Sequence, residues 1–231
     1  MELEAAVPAR FPGAEGGITS TVLSGPVVTL SVVINDSLPA ASTAETPKTK
    51  SVKAASLKKD LFSTEIPKPM LAKQSSQIMD NAEWLYEMKY DGYRVISKIK
   101  NRQAELYSRN GNSFSKNFQS ITDELNTINE NVILDGEVII ENKKGISDFE
   151  LLQNYQTTKQ GVLKYYVFDI IYLNGHSIVV FPLLKRKELL EAFFENYKFK
   201  NIFNSEYQIG NGKKLFEKLS AKGYEGVIAK D

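Results

Sequence analysis

The stretch "EWLYEMKYDGYRVISKIK", residues 83–100, predicts two β-strands on either side of Asp91-Gly92. An Asp-Gly pair between two apolar runs is a strong signal for a tight turn. A turn here would send the chain back on itself and bring Arg94, on the second strand, to the same cleft as Lys89. These residues therefore bear on both the fold and the chemistry of the chain.

Two interpretations of Lys89 are open at this point. An ordinary lysine is protonated at neutral pH and cannot act as a nucleophile, so a catalytic lysine needs burial or a nearby positive charge that lowers its pKa. Arg94 offers such a charge. The pattern Lys-x-Asp-Gly-x-Arg is equally compatible with a hairpin whose charged side chains pair across the two strands.

The composition fits a folded domain rather than a DNA-coating protein. Hydrophobic residues make up 42% of the 231 residues and the formal net charge is +1, although local basic patches can still bind nucleic acid. The absence of cysteine excludes disulfide scaffolds and thiolate metal sites and is compatible with a reducing compartment. The single histidine, His176, excludes a histidine-cluster metal site and lies in a predicted turn after Asn174-Gly175.

Residues 1–60 differ from the rest and are predicted to form a flexible tail or linker. They are rich in Ala, Ser, Thr, Gly and Pro, and residues 48–59 carry five lysines and no acid. Residues 21–34, "TVLSGPVVTLSVVI", are uncharged and β-branched, which is compatible with a strand or hairpin that packs elsewhere. Ser, Thr, Gly and Pro interrupt this stretch, so no membrane span is predicted.

Residues 61–231 predict a mixed α+β domain with mostly antiparallel sheets flanked by helices. After Asp91-Gly92, Tyr93, Val95 and Ile99 share one face of a strand, and Ile96 breaks the alternation. The predicted strands are "EWLYEMKY", "YRVISKIK", "AELYSR", "VILDGEVII", "LKYYVFDIIYLNG" and "EGVIAK". The predicted helices are "SKNFQSITDELNTINE", "SDFELLQNY", "LLKRKELLEAFFENY" and "GKKLFEKLSAKG". The stretch "GNGKK" lacks the spacing of a P-loop and predicts a helix start.

Further polar and aromatic residues lie on or at the ends of these predicted strands. Taken singly, each has an ordinary explanation as a core aromatic, a surface acid or a charge in a turn. Their order and spacing as a set are improbable by chance. The residues are Arg109 in "SRNG", Glu137 in "LDGEV", Phe168 in "FDIIY", and Glu225 and Lys230 in "EGVIAK".

Together with "KYDGYR", these segments resemble motifs I, Ia, III, IIIa and IV of the covalent nucleotidyltransferases, which comprise ATP-dependent DNA ligases, RNA ligases and mRNA capping enzymes. "KPMLA", "DFELLQ" and "VFDIIYLNG…PLLKRKELL" are similar to DNA ligases of the bacterial end-joining type. The resemblance covers residues 66–231. It implies the ATP-grasp-like nucleotidyltransferase domain of covalent ligases.

The resemblance implies a role for Lys89 and for the nucleotide-binding residues. Lys89 would attack the α-phosphorus of ATP, expel pyrophosphate and carry AMP as a phosphoramidate. AMP would then pass to the 5′-phosphate of a DNA nick, and the 3′-hydroxyl would displace it. Glu87 would accept the adenine amino group, Phe168 would stack on adenine, and Lys230 would be a further nucleotide ligand. Arg94, with Glu137, would hold the ribose.

The resemblance also implies a metal ion and a DNA substrate. Glu225 and Glu137 would hold Mg²⁺ or Mn²⁺, and Arg109 would reach the 5′-phosphate of the DNA. The implied partners are nicked or broken double-stranded DNA, with polymerase and end-binding repair proteins, in the bacterial cytosol and away from membranes.

Motif V and the OB-fold domain of the family have no counterpart in the sequence, so a chain that is truncated after motif IV is expected. Three functions stay open on this basis. The first is the adenylation domain of an ATP-dependent DNA ligase. The others are an RNA ligase or capping-type nucleotidyltransferase, and a truncated module that binds nucleotide or DNA without turnover.

Overall fold

The computed structural model describes residues 66–75 and 80–231, together with the backbone of a short strand at 31–33. The strands are Ser31–Val33 (β1), Ala72–Gln74 (β2), Leu85–Lys89 (β3), Tyr93–Lys100 (β4), Gln103–Ser108 (β5), Val132–Glu141 (β6), Val162–Leu173 (β7), His176–Ser177 (β8), Ile202–Asn204 (β9), Tyr207–Ile209 (β10) and Gly226–Lys230 (β11). The helices are Gln119–Leu125 (α1), Phe149–Thr158 (α2), Leu183–Glu195 (α3) and Gly212–Ser220 (α4).

These strands form two sheets. One has five strands in the order β10-β3-β11-β1-β2, and the other has six, in the order β5-β4-β6-β7-β8 with β9 beside β7. Within the described residues, neighbouring strands are antiparallel except for the parallel pairs β1–β11 and β7–β9. The predicted α+β class with mostly antiparallel sheets is confirmed.

The predicted turn at Asp91-Gly92 is wrong in one respect, because β3 and β4 do not pair. β3 lies between β10 and β11 in the five-stranded sheet, whereas β4 lies between β5 and β6 in the other sheet. Residues 90–92 are therefore a crossover between the two sheets. The hairpin with a cross-strand charge pair, which was the ordinary interpretation of this motif, does not form.

Close backbone packing explains why both Asp-Gly pairs need glycine. A Cβ atom on Gly92 would lie 2.2 Å from the carbonyl oxygen of Val138 in β6. A Cβ atom on Gly136, in the middle of β6, would lie 2.4 Å from the carbonyl oxygen of Tyr166 in β7. Both distances are far shorter than any real contact of a Cβ atom, so only glycine fits between these strands.

The largest apolar core lies on one face of the six-stranded sheet, where β4, β6 and β7 meet α1, α2 and α3. Val95 and Ile99 of β4 belong to this core, as their shared face predicts. Ile96 packs on the opposite face with Ile133 and Ile171, which explains the break in the alternation. Both faces of this sheet are therefore covered in the region of β4.

A smaller core lies between the five-stranded sheet and α4. Tyr86 of β3 and Val227 and Ala229 of β11 pack against Phe216 and Leu219 of α4. Because side chains alternate along a strand, the neighbouring residues of β3 and β11 point to the other face of this sheet. That face carries the polar residues that the sequence singles out.

Most predicted elements are confirmed, with differences in length. Asp148 caps α2 by accepting a hydrogen bond from the backbone N–H of Leu151 at 3.1 Å. Asn211 precedes α4, so "GNGKK" is a helix start. The helix α1 covers seven residues, fewer than "SKNFQSITDELNTINE" predicts, and its flanks form turns that still bury Phe118 and Ile128.

The predicted boundary between residues 1–60 and 61–231 lies outside the described residues, so this division stays a prediction. Within the predicted strand or hairpin at 21–34, the backbone of β1 pairs with β11 and β2, and the other residues lie outside the description. None of the described helices is long and apolar enough to span a membrane.

We expect Gly92→Ala to lower the free energy of unfolding by about 3 kcal/mol, because the added methyl group overlaps the Val138 carbonyl. Gly145→Ala is the control: it meets no atom within 4 Å but has a φ of +74°, and should cost about 1 kcal/mol for backbone strain alone. Urea denaturation measures both. Equal losses for the two variants would contradict the close-packing explanation.

Candidate active site

The two sheets face a cavity of about 770 Å³. Side chains from the five-stranded sheet form one wall, and side chains from the six-stranded sheet form the other. Of the residues singled out by the sequence, all but Glu225 line this cavity. They are Glu87, Lys89, Arg94, Arg109, Glu137, Phe168 and Lys230.

The strand period brings the residues of the first wall together. Glu87 and Lys89 alternate with Tyr86 of the α4 core, so they share the cavity face of β3. On the neighbouring strand β11, Ile228 lies opposite Glu87, and Lys230 is on the same face. Lys230 donates a hydrogen bond from Nζ to Oε2 of Glu87 at 2.7 Å.

Lys89 is held at the end of β3 by an ion pair with Glu225, which precedes β11. The side chains of Lys89 and Glu225 are only 23% and 25% exposed. Burial raises the pKa of Glu225, and the charge of Lys89 opposes that rise. Lys89 therefore does not extend into bulk water. Its ion pair places Glu225 next to the cavity wall.

An aromatic stack fixes the chain immediately after Lys89. The ring of Tyr90 stacks on Tyr166 of β7, with centroids 4.2 Å apart and planes 16° apart. Tyr166 in turn stacks on Phe203 of β9 at 5.4 Å. Stacked pairs of this kind stabilise beyond their buried area, so the crossover is anchored to the six-stranded sheet.

Arg94 is the central cation of the second wall. Its Nε and Nη2 donate to the two carboxylate oxygens of Asp135 at 2.5 and 2.8 Å. Burial disfavours the charge of Arg94, but Asp135 outweighs that effect and raises the pKa of Arg94. The guanidinium carbon lies 4.5 Å from the centroid of the Phe168 ring.

Glu137 lies directly opposite Arg94 in the β4–β6 ladder. Burial raises the pKa of Glu137 to about 8, although Arg94 and Lys89 lower it, and the nearby charges of Asp135 and Glu225 add to the rise. A carboxyl group that burial makes costly to ionise is suited to binding a cation or a hydroxyl group.

Phe168 supplies the apolar surface of a cavity that is otherwise highly charged. Two cations lie close to its ring, with the guanidinium carbon of Arg94 at 4.5 Å and the Nζ of Lys230 at 4.7 Å from the ring centroid. Phe168 is not a member of any of the apolar cores among the described residues. Arg109 follows the end of β5 at the exposed side of the cavity.

Sequence reasoning missed three charged residues of this site: Asp135, Arg186 and Lys187. Asp135 lies two residues before Glu137, and the strand period alone indicates that both line the cavity. Arg186 and Lys187 lie on the buried stripe of α3, three and four residues after Leu183. Their position in that stripe is the signal that could have found them.

Arg186 and Lys187 connect α3 to both walls of the cavity. Arg186 donates from Nε and Nη2 to the two oxygens of Asp169 at 2.8 and 2.9 Å, and Asp169 follows Phe168 in β7. Lys187 forms an ion pair with Oε1 of Glu87 on β3. The helix thereby ties the Phe168 side of the cavity to the Glu87 side.

The carboxylates of Glu137 and Glu225 are the residues that fit a divalent cation. The described residues contain no cluster of three or more acidic or histidine ligands, so this chain would supply few ligands by itself. The Oε2 atom of Glu225 is buried without a hydrogen-bond partner. Mg²⁺ is commonly held by one or two carboxylates together with substrate phosphates, and this pair fits that mode.

Comparison with known proteins identifies a family and several relatives. The family described as "ATP dependent DNA ligase domain" matches residues 69–231. A DNA ligase-like protein, LigB, from an SPbeta prophage of Bacillus subtilis (strain 168) is 32% identical over 164 residues, which are 70% of this chain and 59% of LigB. The multifunctional non-homologous end joining protein LigD of Mycolicibacterium smegmatis is 30% identical over 166 residues, which are 70% of this chain and 21% of LigD.

A solved structure of mycobacterial DNA ligase D complexed with ATP and MES has a TM-score of 0.57 and 25% identity, over 66% of this chain and 50% of that one. The fold is accordingly that of a ligase nucleotidyltransferase domain. The chain belongs to the ATP-dependent DNA ligase domain family. It spans between about a fifth and three fifths of the length of LigD and LigB.

We expect Glu137→Gln to raise the free energy of unfolding at pH 8 by on the order of 2 kcal/mol, a value discounted for the partial exposure of the side chain. The folded-state pKa of Glu137, about 8, exceeds the ordinary value of 4.5. The folded chain therefore loses stability as the pH rises from 4.5 through 8. Glutamine removes that loss, so the two proteins should converge near pH 4.5.

Urea denaturation at pH 5 and pH 8 in EDTA measures this difference. Glu83→Gln, an exposed glutamate ahead of β3, is the matched control and should follow wild type at both pH values. A pH profile of Glu137→Gln that runs parallel to wild type would refute the assignment.

Proposed function

We propose that this chain acts as the adenylation domain of an ATP-dependent DNA ligase, with Lys89 as the nucleophile. The observation that carries the proposal is the setting of Lys89. Its amine is paired with Glu225 at the wall of a cavity that also presents carboxylates, further cations and the aromatic ring of Phe168. Family membership and the similarity to LigB and LigD support the same conclusion.

In the first step, Nζ of Lys89 attacks the α-phosphorus of ATP. A P–N bond forms, the bond from the α-phosphorus to the bridging oxygen breaks, and pyrophosphate leaves with the electron pair. The Lys89 ammonium first passes a proton to solvent water and releases Glu225, and the nitrogen passes a second proton to water as the P–N bond forms. Catalysis of phosphoryl transfer rests mainly on positioning and on neutralising charge, so the fixed cations of the cavity matter as much as the nucleophile.

The nucleotide would lie along the cavity with its base between the two sheets. Phe168 stacks on one face of adenine, as aromatic side chains do with bases. Glu87 accepts a hydrogen bond from the adenine amino group, and Arg94 and Glu137 hold the ribose. Lys230, at the cavity wall beside Phe168, is free to move from Glu87 towards the nucleotide.

Glu225 and Glu137 are the proposed ligands of Mg²⁺ or Mn²⁺. When bound, the divalent cation neutralises the charge that develops on the phosphates. The buried oxygen of Glu225 without a partner and the high pKa of Glu137 both support a cation between these carboxylates.

The later steps join DNA. AMP passes from Lys89 to the 5′-phosphate of a nick, which breaks the P–N bond and forms a pyrophosphate linkage. The 3′-hydroxyl then attacks the phosphorus of that 5′-phosphate, seals the strand and releases AMP. Arg109, at the exposed end of the cavity, would bind the 5′-phosphate, because its planar guanidinium suits phosphate oxygens.

The similarity to LigD supports nicked or broken double-stranded DNA as the substrate, in the bacterial cytosol, with polymerase and end-binding repair proteins as partners. These assignments belong to the same proposal.

We expect incubation with α-labelled ATP and Mg²⁺ to leave an acid-labile AMP adduct on the chain, and Lys89→Ala to reduce it to background. The reason is that the adduct is a bond between the α-phosphorus and Nζ of Lys89, which alanine lacks. Lys144→Ala, an exposed lysine in the turn after β6, is the matched control and should keep wild-type labelling.

The same assay separates the alternatives. Labelling by GTP rather than ATP would favour a capping-type nucleotidyltransferase. ATP binding without any adduct would favour a module that binds nucleotide without turnover. An adduct that persists in Lys89→Ala would overturn the assignment of the nucleophile.

Arg109→Ala should weaken binding of a nicked duplex that carries a 5′-phosphate by roughly tenfold, because a charge-assisted contact to the phosphate is lost. In the same variant, the difference in affinity between a nick with a 5′-phosphate and a nick with a 5′-hydroxyl should become smaller. Arg102→Ala, an exposed arginine at the other end of the β4–β5 hairpin, should preserve that difference. Fluorescence anisotropy at fixed salt measures both, and equal losses on the two nicks would show that Arg109 does not read the phosphate.

A further inference from the structure

The Glu87 carboxylate is held by two lysines, one on each oxygen. Lys187 forms an ion pair with Oε1, and Lys230 donates to Oε2 at 2.7 Å. The side chains of Glu87 and Lys187 are 2% and 1% exposed. Glu87 lies directly opposite Tyr207 of β10, whose ring centroid is 5.4 Å from Nζ of Lys187.

The two lysines are placed differently. Lys230 lines the cavity, and its amine also lies 4.7 Å from the Phe168 ring centroid, so a bound nucleotide would meet it. Lys187 is not among the residues that line the cavity and approaches Glu87 from α3. A nucleotide can therefore draw Lys230 away from Glu87, whereas Lys187 stays behind it.

A buried ammonium group is retained only where it is well paired, because removing the charge from water is costly. The start of α3 is anchored next to Lys187, since Arg186 binds Asp169 through two hydrogen bonds and the backbone oxygen of Phe181 at 2.7 Å. This anchoring fixes where Lys187 meets Glu87. The mechanism proposed above gives Lys187 no role.

We infer that Lys187 is a positioning residue that keeps the Glu87 carboxylate oriented as a hydrogen-bond acceptor when Lys230 turns to the nucleotide, and that it thereby sets the preference for adenine over guanine. The inference rests on the proposed function. Adenine presents an amino donor where guanine presents the O6 acceptor. A carboxylate held in this position accepts a hydrogen bond from the amino group of adenine and repels the O6 atom of guanine.

The charge of Lys187 gives a second, independent consequence. Burial lowers the pKa of Lys187 to about 8, Glu87 opposes that shift, Lys230 adds to it and Asp169 opposes it. With the Tyr207 ring, these are the groups that face Lys187 from β3, β11, β7 and β10. As the pH rises through 8, Lys187 loses its charge and no longer orients the Glu87 carboxylate, so the preference for adenine should fall.

The test is calorimetric binding of AMP and of GMP to the full chain, because neither ligand can form an adduct by expelling pyrophosphate. Lys187→Met should weaken AMP binding roughly tenfold and narrow the ratio of AMP to GMP affinity by a similar factor. Lys187→Arg should restore the ratio. Lys185→Met is the matched control, since Lys185 lies on the same helix, is exposed and pairs only with Glu188 among the described residues.

Two further measurements separate positioning from general damage to the fold. In a Glu87→Gln background, Lys187→Met should leave the ratio of AMP to GMP affinity unchanged, because the residue acts through Glu87. Between pH 7 and 9 the ratio should fall for wild type and stay flat for Lys187→Arg. Glu137 also titrates near pH 8, but it is common to both proteins, so the comparison cancels it.

The outcomes distinguish this inference from the proposed function. Suppose that wild type binds AMP and is labelled by ATP, but Lys187→Met leaves the ratio of AMP to GMP affinity unchanged. That result overturns the inference alone. Wild type that binds no AMP overturns the proposed function and the inference with it. If thermal denaturation shows that Lys187→Met is unfolded, Lys187→Arg decides: a pH profile identical to wild type overturns the inference.

Discussion

The whole site depends on the crossover at residues 90–92. Lys89 ends a strand of one sheet, and Tyr93 begins a strand of the other, so three residues carry the chain from wall to wall. This short step is possible because Gly92 lets the chain pass against the carbonyl of Val138, and the stack of Tyr90 on Tyr166 holds it there. The six residues of "KYDGYR" thus fix the distance between two walls that are otherwise built from distant parts of the sequence.

The charges of the cavity are arranged as matched pairs that bridge elements. Lys89 pairs with Glu225, and Arg94 pairs with Asp135, so each wall neutralises its own cation. Burial raises the pKa of Glu137, Arg94 and Lys89 lower it, and the nearby carboxylates of Asp135 and Glu225 add to the rise. Buried ion pairs contribute little to stability once desolvation is counted. Their concentration around one cavity therefore points to function, because charges that are already in place are suited to binding a charged ligand.

The sequence predicts the strands and helices well because their apolar periods are regular, but it does not predict how the strands pair. "YRVISKIK" forms a strand as expected, but it pairs with β5 and with β6, which lies more than thirty residues away, rather than with the preceding strand. A local turn signal cannot distinguish a hairpin from a crossover, since glycine is used here for close packing and not for a left-handed backbone conformation. The sequence signal for this arrangement is Ile96, because an apolar residue on the face expected to be polar indicates a strand that is covered on both sides.

The site residues were accessible to sequence reasoning only where they lie in short motifs. Lys89, Glu137 and Phe168 stand beside glycines or other recognisable residues, whereas Arg186 and Lys187 lie inside an amphipathic helix. A basic residue on such a helix is ordinarily assigned to solvent, and only the tertiary structure brings acids to meet it.

Exposure to the cavity divides the cations into two classes. Lys89 and Lys230 line the cavity and hold carboxylates that a substrate or metal can compete for, so their contacts are exchangeable. Lys187 contacts Glu87 from α3 and is not among the residues that line the cavity. If a nucleotide draws Lys230 away as proposed, Lys187 remains as the partner of Glu87, which would otherwise be a buried charge without a partner.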